Sequence, residues 1–232
     1  MDTGVPNHFG PQRFGRDGSN PERALAWLAG KERGPRDKRD QRMVFSSLQS
    51  MMFNEVLDAR LADGSWATIL LGDIAKKREG ALFAVREADL DDAVARASRR
   101  EISATGPMFG ASMTWPEHGV LELEEGVLRR FIDREKLDAF RQHGEGTRRS
   151  LRLEVDEVAT EVMTDVDPGP EGTEKAGRIG IAFVLPKGGY ATTVLSQVCK
   201  LIETGTSASP PRASSPEADR TDAVESLKGT EE

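Results

Sequence analysis

At 232 residues with 37% apolar side chains, the chain can hold one large domain or two small ones around a packed core. No apolar run approaches the ~20 residues that span a bilayer, and the first residues lack the apolar stretch of a secretory signal, which excludes a helical membrane protein and places the chain in the cytoplasm. The net charge of −7 argues against a uniformly basic nucleic-acid-binding surface, but residues 203–232 hold seven acidic and three basic side chains, so the rest carries only −3 and RNA stays open as a partner.

Along the chain, Ser19-Asn20-Pro21-Glu22 predicts a helix start with Asn20 as N-cap and Pro21 at the first helical position, opening a short amphipathic helix through Trp27. Residues 31–42, dense in charge and containing Gly34-Pro35, read as an exposed linker and a domain boundary. From Met43 to Arg60, Val44, Leu48, Met51, Met52, Val56 and Leu57 recur at spacings of three and four and draw one face of a long helix. Residues 66–73 predict a short strand and a turn, 88–101 a helix, 105–119 a Gly/Pro-punctuated loop, and 121–140 a helix broken near Asp133. After residue 144 the period changes to two, with Leu151, Leu153 and Val155 on one half-buried strand and Ile179, Ile181, Phe183 and Leu185 on a second, separated by a polar loop at 165–177. A last helix is expected to place Tyr190, Val194, Leu195, Val198 and Leu201 on one face, and residues 205–232 read as a disordered tail. Cys199, the single cysteine, cannot form an internal disulfide and reads as a buried helix residue; no Cys/His spacing suggests zinc. His118 and His143 read as exposed loop residues.

Five stretches in order, GVPNHFGPQRFG (4–15), SSLQSMMFNEVLDAR (46–60), TGPMFG (105–110), EGTRRSLRL (145–153) and FVLPKGGYATTVLSQV (183–198), resemble the TruD family of tRNA pseudouridine synthases. The first and last carry the resemblance, since strings so specific rarely arise by chance. The resemblance implies an α+β fold in which a partial pseudouridine synthase catalytic domain, with a mixed, mainly antiparallel sheet, is interrupted by an α/β TRUD insertion domain. In these terms residues 1–34 are a catalytic-domain segment, 35–146 the insertion, 147–204 the catalytic return and 205–232 the tail.

The implied reaction converts uridine-13 of tRNA to pseudouridine, breaking the bond from the ribose to N1 of the base and rejoining the ribose to C5, with no cofactor and no metal. The implied partner is tRNA, with no membrane, and the enzyme is a monomer when full-length. By resemblance, Asn7 and Phe9 fall on substrate-contacting positions and Phe183 on a pocket phenylalanine. An amide can donate to and accept from a uracil edge, and a phenyl ring offers a face to a base taken out of the stack. Arg13 could meet a phosphate or a carboxylate, Phe14 reads as core, and Gly10 and Gly15 as backbone positions needing a tight approach or a positive φ. His8 stands where the family commonly shows Tyr. The family's catalytic aspartate lies upstream of this stretch in a GxKDxxAxTxQ motif, and these 232 residues contain no Lys-Asp dipeptide; Asp2, Asp17 and Asp73 have the wrong neighbours. The chain therefore reads as N-terminally truncated and inactive alone, with a missing N-terminal fragment of the same enzyme as a further partner. Two alternatives stand beside this: a non-catalytic RNA-binding module, or one half of a split enzyme.

Overall fold

A long central helix organises the molecule, and its start shows how local chemistry sets an element boundary. The computed structural model describes residues 4–78, 80–163 and 178–201. After strand β1 (Val5–Pro6) and a 3₁₀ turn at Pro11–Phe14, helix α1 spans Asn20–Leu28, with Ser19 rather than Asn20 in the cap position. Asn20 is buried, and its side chain accepts instead from Arg23 Nη1 at 3.2 Å. Helix α2 (Lys38–Ala62) begins inside the charged segment read as a linker. The Asp37 carboxylate accepts from the backbone N–H groups of Arg39 (2.7 Å) and Asp40 (3.2 Å), satisfying donors that have no partner within the helix. That cap converts residues 38–42 into a first helical turn and leaves only 31–37 as connector.

Helix α2 carries two apolar stripes. Phe53 and Leu57 pack with Ile69, Ala75, Val85, Ile102, Ala104 and Leu151, whereas Val44, Leu48, Met52 and Val56 pack with Ala24, Phe109, Val127, Leu128 and Leu137. Ala75, Ile102 and Ala104 of the first group belong to a four-stranded antiparallel sheet in the order β3-β2-β4-β5, made of β2 (Ile74–Lys77), β3 (Leu82–Ala84), β4 (Ile102–Met108) and β5 (Thr147–Ser150), and Ile69, Val85 and Leu151 adjoin it. Helix α3 (Leu90–Ser98) lies on the same core through Ala93 and Ala97. The second group is supplied by α1, by helix α4 (His118–Arg129) and by a 3₁₀ segment at Arg134–Phe140, which starts at the break expected near Asp133.

Two expectations fail here. Residues 66–73 form turns rather than a strand, because Asp73 is fully buried in a bidentate pair with Arg60 of α2 (3.0 and 3.1 Å) and also accepts from Leu70 N–H at 2.7 Å, which folds the chain back on itself. Residues 105–108, read as loop, are the end of β4. Gly106 is required there, since a Cβ would stand 2.9 Å from both Leu151 Cδ2 and Phe53 Cε2: helix and sheet meet through the missing side chain.

Beyond β5 the chain changes partner at almost every step. Strand β6 (Arg152–Leu153) pairs with β1 through Val5 opposite Leu153, and β7 (Asp156–Met163) pairs with β8 (Arg178–Val184) as a separate two-stranded ribbon. Leu151 and Leu153, expected on a half-buried strand, are buried, whereas on the ribbon Ile179 is 67% exposed and Val162 70%. The final helix is short, α5 (Ala191–Leu195), and the single face expected for it is reduced to buried Val194; Val198 and Leu201 are exposed, and Cys199 is exposed with a free thiol that reaches Leu195 O at 3.3 Å. His143 is half-buried rather than exposed, 4.7 Å from the Trp27 ring and 6.3 Å from Phe45. The expected loop at 165–177 and tail at 205–232 lie outside the described residues. No described helix is long and apolar enough to cross a membrane.

Candidate functional site

Residues 7–13 run along one stripe of α2. Ser50, Asn54 and Asp58, four residues apart, point the same way, and each takes one residue of the segment. Asn54 accepts from Phe9 N–H at 2.9 Å and donates to Phe9 O at 3.1 Å, a reciprocal clasp on the backbone. Asp58 meets His8 Nε2 at 2.8 Å, and Ser50 Oγ accepts from Arg13 Nε at 3.1 Å. On the other side, Asn7 N–H continues the β1 pairing onto Leu151 O at 2.9 Å. The segment is therefore fixed from both flanks, by helix and by sheet, with only the 3₁₀ turn from Pro11 as regular structure of its own.

Asn7 and Phe9 both face a cavity of about 550 Å³. Asn7 is buried, and both ends of its amide are engaged: Nδ2 donates to Ser150 O at 2.8 Å and Oδ1 accepts from Arg149 Nη2 at 2.5 Å. One N–H and one lone pair are left over. Phe9 is only 8% exposed. Phe53 and Tyr190 meet its ring edge-on, with centroids at 5.5 and 5.9 Å, while the Arg149 guanidinium stands 4.1 Å from the ring centroid and that of Arg13 5.5 Å. Arg149 also donates to Gly188 O at 3.0 Å, joining the turn at Pro186–Gly189 to the segment at 7–9 across the cavity. Burial pushes the Arg149 pKa down to about 10, with Tyr190 opposing and Arg13 adding to the effect, so the group stays charged at neutral pH.

The rest of the cavity wall is strongly basic. Lys76, Lys77, Arg78, Arg100, Arg152 and Lys187 line it together with Glu101, Glu154 and Asp156. Arg78 is paired with Asp156 at 3.0 Å and Arg100 with Glu154 at 3.6 Å, whereas Lys76, Lys77, Arg149 and Lys187 meet no carboxylate among the described residues. A low net charge over the chain thus conceals a cavity wall with a surplus of cations.

Comparison with known proteins agrees with the motifs on which this site is built. The model of the tRNA pseudouridine synthase D (TruD) family matches residues 37–198. The tRNA pseudouridine synthases D of Anaeromyxobacter sp. and Thermus thermophilus are each 38% identical to this chain over 208 and 203 residues, covering 86% of it in both cases. The chain belongs to the TruD family. It spans about half the length of the curated relatives it matches, 55% and 51% for these two. A solved structure from Methanosarcina mazei, assigned to tRNA pseudouridine synthase D, superimposes with a TM-score of 0.67 at 21% identity over 84% of this chain and 61% of that one, and shares its fold of helices and antiparallel sheet.

Among the residues marked by the TruD motifs, the structure brings Asn7 and Phe9 together and leaves Phe183 apart. Phe183, on β8, packs with Val5, Leu153 and Val194 in a small separate cluster, so it reaches the cavity only through Leu153. Phe14 joins the main core, as expected. Gly15 adopts φ +95, as expected; Gly10 has a negative φ, and a Cβ there would clash only with the movable end of the Gln12 side chain, so the need expected of it is absent. The residues that sequence reasoning passed over are Asn54, Arg149 and Tyr190. All three stand inside the quoted TruD-like stretches, and nothing in periodicity or spacing separates them from their neighbours.

Proposed function

We propose that the chain is the uridine-handling part of a TruD-type tRNA pseudouridine synthase, with uridine-13 of tRNA as its target and residues 35–146 as the insertion within its catalytic domain. The observation that carries this reading is the basic cavity in which the two ends of the described chain, Asn7 to Phe9 and Pro186 to Gly189, are joined by Arg149. Its wall supplies what the isomerisation asks of a binding site: cations for the RNA backbone, an amide with a spare N–H and lone pair for a uracil edge, and a concave volume of about 550 Å³ for a detached base to turn in. Asn7 is assigned to the base edge, Phe9 to the cavity floor, and Phe183 to support behind Leu153. Arg13, held by Ser50, is assigned to the outer rim as an RNA contact.

The carboxylate that the reaction requires is not assigned to any residue here: of the acidic side chains on the cavity wall, Asp156 is paired with Arg78 and Glu154 with Arg100. No aspartate stands in a GxKDxxAxTxQ context, and both oxygens of Asp73 are committed to Arg60. The same absence is what favours the second reading, a module that binds tRNA without modifying it. The test is direct: the purified 232-residue protein is expected to bind unmodified tRNA in fluorescence anisotropy with an affinity that falls steeply with salt, and to leave uridine-13 unchanged in a carbodiimide-based pseudouridine assay. Absence of binding at low salt would remove the functional reading; pseudouridine at uridine-13 would overturn the assignment of inactivity.

A further inference from the structure

Arg149 is the one cation of the cavity wall that is held in place by several hydrogen bonds and still meets no carboxylate among the described residues. Its Nη2 serves Asn7 Oδ1 and Gly188 O, and Nε lies 3.4 Å from Asn7 O, yet Nη1 has no acceptor and no carboxylate reaches the group among the described residues. Arg149 is half-buried, so a guanidinium that is partly desolvated and lacks a counter-ion gains from an anion that completes it. It is also planar and locked: the Phe9 ring lies against it at 4.1 Å, Phe53 stands at 5.6 Å, and two hydrogen-bonded groups hold its edge. One side of the fork is spent on holding the protein together, and the other is left for a ligand.

We propose that Arg149, together with Lys187 of the adjoining turn, binds one phosphodiester of the RNA beside the everted uridine, and that Phe9 is the floor under this guanidinium rather than a surface on which the base stacks. This rests on the reading of the cavity as an RNA site. A phosphate suits the arrangement because its oxygens can take the free Nη1 hydrogens, and because RNA brings one such anion per nucleotide. Lys187 is exposed, lines the same cavity and is unpaired among the described residues, so it adds a second positive charge without being part of the core. The consequence for the base follows from the covered ring: a nucleobase entering the cavity meets Arg149 before it meets Phe9.

The experiment uses an RNA stem-loop carrying the target uridine, with the phosphodiester on its 5′ or its 3′ side replaced in turn by a neutral methylphosphonate. Binding to the 232-residue protein and to Arg149→Gln and Lys187→Gln is measured by anisotropy. Neutralising one of the two phosphates should weaken binding to the unaltered protein about tenfold, as expected for loss of a charge-assisted contact, and should cost nothing further in Arg149→Gln. Losses that add independently at both positions overturn the proposal and indicate that the partner of Arg149 is a protein carboxylate. If Arg149→Gln fails to fold in a thermal melt, the exposed Lys187→Gln decides the matter: a methylphosphonate effect reduced about threefold supports the site, and an unchanged one overturns it. An unaltered protein that binds neither RNA defeats the cavity reading itself, an outcome distinct from binding that the methylphosphonates leave intact.

Discussion

Asn7 shows how one side chain is given two duties. Its amide links Ser150 O to Arg149, and it keeps one N–H and one lone pair that the proposed function gives to a base. Asn7→Ala therefore leaves a buried carbonyl and a guanidinium short of partners and is expected to lower stability by about 1–3 kcal/mol in urea denaturation, as well as weakening RNA binding. His143 makes a second prediction at this scale. Burial between Trp27 and Phe45, with Arg42 adding a smaller contribution, holds its pKa below the usual imidazole value. The unfolded chain then takes up a proton as pH falls below about 6.5 while the folded chain does not, so stability is complete above that pH and is lost downward through the folded pKa. His143→Phe should retain the packing and flatten the fall in melting temperature between pH 7.5 and 5; an unchanged slope would remove His143 as its source.

At the scale of elements, two buried ion pairs fix the seams between helix and sheet. Arg60 of α2 holds the turn at 65–73 through Asp73, Ser65 O and Thr68 O. Arg148 of β5 reaches Glu124 of α4 at 2.7 and 2.8 Å and also donates to Thr105 of β4. Each pair is fully buried, so removing one member strands the other charge in the core. Glu124→Ala and Asp73→Ala should each cost about 3–5 kcal/mol in chemical denaturation. A cost under about 1 kcal/mol for either would mean that water reaches the remaining arginine. Phe53, pressed between Gly106 and Phe9, should behave as an ordinary core aromatic, with Phe53→Ala costing about 3–5 kcal/mol and loosening Phe9 at the same time.

Over the whole molecule the distribution of apolar surface is uneven. The cores on either side of α2 are closed, whereas the β7–β8 ribbon presents Val158, Val162, Ile179 and Ile181 to solvent. A two-stranded ribbon with exposed apolar faces is a template for further pairing and association. The double substitution Val162→Thr and Ile179→Thr should reduce light scattering at high protein concentration and leave the melting temperature within about 2 °C, since neither side chain is part of a core. Unchanged scattering would show that association proceeds through another surface.

What the sequence by itself determined follows from patterns that depend only on neighbours along the chain. The apolar spacing of 43–60 announced α2, the alternation around 151 and 181 announced β6 and β8, and the strings at 4–15 and 183–198 announced the family and pointed to Asn7 and Phe9. Where local chemistry and long-range packing disagree, the pattern failed: residues 66–73, read as a strand and a turn, form turns because Asp73 is drawn to Arg60, and Gly106-Pro107 sit within a strand because α2 lies against that glycine. The site's cationic centre was decided by tertiary structure alone. Arg149 is one of three arginines in EGTRRSLRL, and only the fold separates them: Arg148 turns inward to Glu124, Arg152 donates to the carbonyls of Ala97 and Ile102, and Arg149 stands over Phe9 with a free donor facing the cavity. Their identities are equal in sequence. Strand alternation sends successive side chains to opposite faces, and which face is core and which is cavity depends on elements up to 142 residues away.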